Sequence, residues 1–342
     1  MRLGFLVLPL AAALLAFGGS RWVMTRLAAP APAGGAPVLL SVPAGASTRQ
    51  VAALLQARHL IRDATVFRLY ARLKGLDSQI QGGEYELSPA MTPAQILAKL
   101  AHGDVVVHRF TVPEGLTVEQ VADLLAAKGL VSKQRFLAAA SKSHLADRWL
   151  PRNTRLAQPL EGYLFPATYD YQPGASEQQL LSLMVEGFAR AWTPARAKRA
   201  QELGLTVHQV VTLASIVEKE TSVPAERAAV AGVYHNRLKI GMKLDADPTV
   251  RYALKKLAGV PLLYQDLDVN SPYNTYRRAG LPPGPIAAPG DAAIEAVLHP
   301  AAHDHLYFVA KQDGSGGHYF ARTLSEQILN TSRAEANARA RK

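Results

Sequence analysis

The sequence predicts an α+β protein built from an apolar N-terminal segment, a small α/β unit that occurs twice, and a mixed α/β region at the C-terminal end. Three observations carry this prediction. Residues Leu3 to Gly19, LGFLVLPLAAALLAFGG, hold no charge and lie between Arg2 on one side and Arg21 and Arg26 on the other. The stretch VPAGASTRQVAALLQARHLI from Val42 returns seventy positions later as VPEGLTVEQVADLLAAKGLV from Val112, a period that fits a duplicated small unit and not a solenoid. Beyond residue 200, helical apolar spacing alternates with Pro- and Gly-dense segments, and the region closes on two short alternating stretches.

The N-terminal run is as long as a signal-peptide core or a short membrane span. We read it as a retained single-pass anchor, with a cleaved signal as the alternative. The RLAAPAPAGGAPV that follows reads as a flexible spacer, with a cleavage region as the alternative, so residues 1–36 are taken as anchor and linker. The arginines after the run weaken the charge rule for its orientation. With 342 residues, 49% of them hydrophobic, the rest of the chain can bury two or three compact units. Lysine and arginine exceed aspartate and glutamate by 38 to 27, and the net charge of +11 favours an anionic surface or polymer as neighbour. The sign does not choose between nucleic acid, acidic lipid and cell-wall polymer. The absence of cysteine excludes disulfides, thiolate metal sites and a cysteine nucleophile.

Each copy of the repeat reads as a strand, a turn at Pro and Gly, an amphipathic helix and a second helix holding Phe67 or Phe136. An extended segment with Gly and Tyr and a further helix complete it. The first copy occupies 37–106; the second, with its connection, occupies 107–200. In 201–342, Thr206 and Gln209 form a capping box, so a helix starts near Val207. Another begins at Pro224 and stops at Gly241. The segment SPYNTYRRAGLPPGPIAAPG from Ser271 is an ordered loop, LYFVA and HYFAR around KQDGSGG form a hairpin, and the polar tail SRAEANARARK frays.

The helix from Val207 ends in ASIVEKET, with Glu218 and Glu220 two residues apart. Residues at that spacing point about 200° apart around a helix, so the two cannot act as one acid pair. Both continue apolar stripes, and a carboxyl at the end of a buried helix loses water and suits general acid work. This does not say which one acts, and both could instead pair with Lys219, Arg227 or Arg237. In KLDADPTVRYAL, Asp245 and Asp247 are either the second carboxylate of a glycosidase pair or a turn and helix cap, with Pro248 and Thr249 beside them. The cluster Ser271, Tyr273, Asn274, Thr275 and Tyr276 offers the ring faces and neutral hydrogen-bonding groups that sugar recognition needs, or else backbone turn work. We assign no metal and no cofactor: Pro300 breaks the spacing of His299, His303 and His305, and DGSGG is a hairpin turn. Too few basic residues and no interleaved aromatics in the tail argue against nucleic acid.

Taken together, VPEGLT, LEGYLFPATY, LASIVEKET, VYHNRLKIGMKLDADPTVRYAL, SPYNTYRRAGLPPGPI and YFVAKQDGSGGHYF resemble the endolytic murein transglycosylases, the MltG or YceG-like family. The resemblance implies an inner-membrane anchor with a cytoplasmic N-terminus, a LysM-like subdomain in the first copy, and a periplasmic catalytic domain. It makes Glu218 the catalytic residue, on its helix, with Glu220 and Thr221 supporting it. Ser215, Asp245, Asp247, Thr249, Ser271, Tyr273, Asn274, Thr275 and Tyr276 are carried as substrate-binding or supporting residues. Peptidoglycan glycan strands become the substrate, with the inner membrane and peptidoglycan synthases as partners. The implied reaction needs one acid: Glu218 protonates the glycosidic oxygen between N-acetylmuramic acid and N-acetylglucosamine, then takes the proton of the muramic C6 hydroxyl as a 1,6-anhydro ring closes. Asp245, Ala288 and Gln327 depart from the family's usual Gln, Asn and His. The alternatives are a lysozyme-like hydrolase using Asp245 or Asp247 as second carboxylate, and a non-catalytic peptidoglycan-binding scaffold.

Overall fold

The computed structural model describes residues 22–31, 34–151, 156, 158–256 and 260–341. The expected anchor, Leu3 to Gly19, lies outside them; among the described residues no helix is long and apolar enough to cross a membrane. The fold is mixed α and β, with helices dominant and three two-stranded sheets among the described residues. The chain divides into two compact units. One reaches to His108 and includes Asp170–Gly174; the other consists of Arg109–Tyr169 and the residues from Ala175 onward.

The duplication read from the sequence is present element by element. Its first copy runs β1 (Val38–Val42), α1 (Thr48–Ala57), α2 (Ala64–Leu73), β2 (Gly83–Leu87) and α3 (Pro93–His102). The second runs β3 (His108–Thr111), α4 (Val118–Ala127), α5 (Lys133–Ser141), β4 (Thr168–Tyr171) and α6 (Glu177–Ala191). Local chemistry repeats with the order. Each turn after the first strand places a glycine in the left-handed region, Gly45 at φ 75° and Gly115 at φ 74°, where a side chain would strain the backbone. Each following helix opens with a capping box, Ser47 with Gln50 and Thr117 with Gln120. The hydroxyls of Tyr85 and Tyr169 each donate to the carbonyl four residues back, Gln81 and Phe165. One side chain in the turn differs in kind: Ala44 in the first copy stands where the second has Glu114.

Strand periodicity builds the core of the first unit. The antiparallel register pairs Leu40 with Tyr85 and Val38 with Leu87, which turns Leu40, Tyr85 and Leu87 to one face while Leu39 points outward. Leu55, Phe67, Ile96 and Leu100 from the three helices close over that face.

The C-terminal region of the second unit contains α7 (Pro194–Glu202), α8 (Val207–Glu220), α9 (Arg227–Lys239), α10 (Asp247–Ala253), α11 (Asp291–Leu298), the antiparallel hairpin β5 (Tyr307–Ala310) and β6 (His318–Ala321), and α12 (Leu324–Ala340). Helix α8 starts at the expected capping box and is buried continuously from Val210 to Val217, packed by α7, α9, α10 and α11. Its buried surface is mainly apolar, with His208, Thr212 and Ser215 as the buried polar exceptions, and its last turn carries the charged residues Glu218, Lys219 and Glu220. The helix expected from Pro224 opens as a single 3-10 turn, Pro224–Glu226, before α9 begins at Arg227. Past the end of α9, Gly241 takes φ 66°.

Two features refine the sequence reading. The Pro-rich loop is ordered and almost wholly buried from Pro282 to Gly290. The tail does not fray at SRAEANARARK: α12 continues to Ala340, because Ala334 is buried and Asn337 and Arg341 donate to the hairpin carbonyls of Lys311 and Gln312.

Candidate active site

Glu218 sits in the last turn of α8 with its side chain only 7% exposed. Three segments meet it, all in the second unit. The N–H of Gly290, the cap residue of α11, donates to Glu218 Oε2 at 3.1 Å. Arg227 Nη2 at the start of α9 donates to Oε1 at a long 3.4 Å. Glu114, in the turn before α4, reaches the same Nη2 at 3.9 Å. Burial raises the Glu218 pKa; the Gly290 N–H opposes this, the negative charge of Glu114 adds to it, and Arg227 and Lys219 pull it down. Backbone bonds fix the segments relative to one another: Gly115 N–H donates to Ala288 O, Ala288 N–H donates to Leu116 O, and Lys219 Nζ donates to Gly115 O.

Glu220 faces elsewhere, as its position two residues on requires. It is partly buried, accepts the Tyr234 hydroxyl at 2.5 Å, and has its pKa pushed up to about 7 by desolvation. The charges that act on it are Asp247 and Arg237, not Arg227. Arg237 bonds Asp245 at 3.4 Å and donates to the carbonyls of Lys243, Leu244 and Leu306, while Asp247 accepts the Tyr276 hydroxyl at 2.7 Å. Asp245 occupies the left-handed region at φ 46°, and burial raises its pKa. Asp247 opens α10 without capping it, since the cap position is Ala246 and carries no side-chain cap bond. The two glutamates thus belong to separate networks, and both sequence aspartates belong to that of Glu220.

Most of the remaining expected residues hold backbone. Ser215 Oγ donates to Thr212 O and accepts from Ile286 N–H at 3.0 Å, pinning the Pro-rich loop to α8. Thr221 Oγ1 accepts from Val223 N–H. Thr249 and Thr275 bond each other at 2.9 Å and tie α10 to the SPYNTY loop. Asn274 donates to Leu267 O and Val269 O, and Ser271 Oγ accepts from Tyr273 N–H. Tyr273 stacks at a tilt on Tyr252, with ring centroids 4.9 Å apart. Gln327 donates to Phe308 O in the hairpin, and neighbouring Glu326 closes the capping box of α12.

Sequence reasoning did not single out Glu114, Glu161, Tyr252 or His208. Glu161, in LEGYLF, is fully buried, accepts from Val118 N–H at 3.0 Å and from the Tyr252 hydroxyl at 3.1 Å, and is pushed up to about 7 by desolvation. It joins the start of α4, just after Glu114, to α10. His208 Nε2 donates to Pro283 O at 2.9 Å, because a carbonyl only accepts; Nδ1 therefore accepts the Tyr163 hydroxyl at 2.9 Å. Each lies within a mixed motif, VPEGLT, LEGYLF, TVRYAL or TVHQVV, where nothing in the spacing marks it as a site residue.

Comparison with known proteins identifies the family of the chain. The YceG-like family profile matches residues 40–333. A Bacillus subtilis protein named endolytic murein transglycosylase is 35% identical over 84% of this chain and 82% of its own length. A Streptococcus pneumoniae protein of the same name is 28% identical over 86% of this chain, which spans 57% of that longer protein. A crystal structure of a putative YceG-like protein from Listeria monocytogenes superposes with a TM-score of 0.59 at 34% identity, covering 86% of this chain and 99% of that one. With the profile spanning most of its length, the chain belongs to the YceG-like family.

Proposed function

We propose that this protein is an endolytic peptidoglycan lytic transglycosylase with Glu218 as its single acid and base. The observation that carries the reading is the setting of Glu218: a carboxyl at the end of a buried helix, desolvated, with one oxygen held by a backbone N–H. The curated relatives bear that enzyme's name. Gly290 N–H holds Oε2 at 3.1 Å whereas Arg227 reaches Oε1 only at 3.4 Å, so Oε1, the less tightly held oxygen, is assigned the proton. That proton passes to the glycosidic oxygen as the muramic C1–O bond breaks and the ring takes on oxocarbenium character. The carboxylate left behind removes the C6 hydroxyl proton while O6 bonds to C1, closing the anhydro ring and restoring the acid. No water enters the product.

The geometry does not favour a hydrolase pair formed with Asp245 or Asp247, which are engaged by Arg237 and Tyr276. We further propose an inner-membrane anchor at Leu3–Gly19, a periplasmic location for the rest, a LysM-like role for the first copy, and peptidoglycan synthases as partners. The uncharged N-terminal run and the family resemblance support these assignments. Mass analysis of products from purified glycan strands and the fragment starting near Ala36 tests the reaction. Anhydro ends, lighter by one water than reducing ends, are expected. Reducing ends, or cleavage that persists in Glu218→Gln, would sink the assignment.

A further inference from the structure

Glu114 has no task in the turn that carries it. The first copy makes the same turn with Ala44, and the glycines that follow have matching angles, φ 75° at Gly45 and φ 74° at Gly115. Its carboxyl nevertheless has a defined place. A Cβ added at Gly290 would fall 2.1 Å from Glu114 Cδ, so the bare backbone of residue 290 is what admits it. The N–H of the same residue holds Glu218 Oε2. Both carboxylates lie within 4.0 Å of one atom, Arg227 Nη2, at 3.9 Å and 3.4 Å. Their exposures differ: the Glu114 side chain is 47% exposed and that of Glu218 only 7%.

We propose that Glu114 is the second carboxylate of the reaction, a group that shares Arg227 with Glu218 and stabilises the positive charge developing on the sugar ring without bonding to it. The inference rests on the transglycosylase reading above. Bond changes stay as described there: O6 is the nucleophile and Glu218 moves both protons. Glu114 contributes a fixed negative charge where cationic character appears, the electrostatic part of the work. The groups acting on Glu218 are Glu114, Arg227, Lys219 and the Gly290 N–H, and Glu114 is the one that favours its protonated form.

The test uses the full chain, purified glycan strands and four variants: Glu218→Gln, Glu114→Gln, Glu114→Asp and Gly290→Ala. Glu114→Gln keeps its melting temperature and loses kcat on the order of 10- to 100-fold with KM little changed. Its alkaline limb moves to lower pH, since removing a negative charge eases ionisation of Glu218. Glu114→Asp recovers part of the rate. Gly290→Ala preserves every charge and the backbone donor but displaces the Glu114 carboxyl, and it lowers kcat in the same direction. Wild-type kcat and pH profile in Glu114→Gln beside an inactive Glu218→Gln would overturn this proposal alone. A rise in KM only, or a loss of fold in Glu114→Gln, would overturn it as well. Cleavage that survives in Glu218→Gln would instead remove the reading on which it rests.

Discussion

At the scale of single residues, burial gives Glu220 and Glu161 a titration that reports on folding. Each is pushed up to about 7 in the folded chain by desolvation, against an ordinary value of 4.5. The folded state therefore holds more protons than the unfolded one between pH 4.5 and 7. Their contribution to stability is complete below pH 4.5 and is lost as pH rises to about 7, at up to about 1.4 kcal/mol per pH unit for each group. Buried neutral His208 works in the opposite sense: desolvation lowers its pKa, so its contribution is present above the usual histidine value and is lost as pH falls below it. Denaturant titrations of wild type and Glu220→Gln at pH 5 and pH 8 check this. The variant, whose amide oxygen still accepts the Tyr234 hydroxyl, is expected to show a flatter pH dependence; an unchanged slope would place the titration elsewhere. On the role proposed for Glu218 its protonated form must persist, so activity is expected to extend to higher pH than an ordinary glutamate allows. An alkaline limb at the ordinary glutamate value would contradict a desolvated Glu218.

At the scale of elements, the site depends on how the Pro-rich loop is attached to α8. Ser215 Oγ accepts the buried N–H of Ile286, four residues before Gly290. Ser215→Ala leaves that N–H without an acceptor and is expected to cost about 1–3 kcal/mol in denaturant melts, with loss of cleavage rate as Gly290 shifts from Glu218. What the sequence made legible here was local. The capping box at Thr206 and Gln209, the stop at Gly241 and the hairpin around KQDGSGG each rest on residues a few positions apart, and each matches the structure. The surroundings of Glu218 depend on contacts from residues 114, 227 and 290, which no periodicity links. Helix geometry could separate the two glutamates, but only packing could show that Asp245 and Asp247 accompany Glu220 and that Glu114 accompanies Glu218. The tail was misjudged for the same reason, since its helix is held by hairpin carbonyls remote in sequence.

At the scale of the molecule, the first unit has its own core and should yield locally. Phe67→Ala removes a fully buried ring from it and is expected to destabilise that unit by about 3–5 kcal/mol. Hydrogen exchange should then rise across β1 to α3 while α8 stays protected; equal loss of protection in both would show that the units unfold together. The net charge of +11 makes a different demand on the whole surface. Association with glycan strands bearing ionised stem peptides is expected to weaken as salt rises, with kcat little affected. Salt-independent KM would mean that recognition is carried by neutral contacts such as those of the SPYNTY loop.

The turn written twice in this chain separates two demands that a single loop must otherwise meet at once. Reversing the backbone needs Pro and Gly and is satisfied in both copies; presenting a charge is left to one variable letter between them. With Ala44 exposed at the corresponding place, a glutamate there would add one charge to an outer surface. The same letter seventy positions on stands beside Arg227. Duplication of this kind gives a fold a spare position at which chemistry can be gained or lost without reopening the question of how the loop folds.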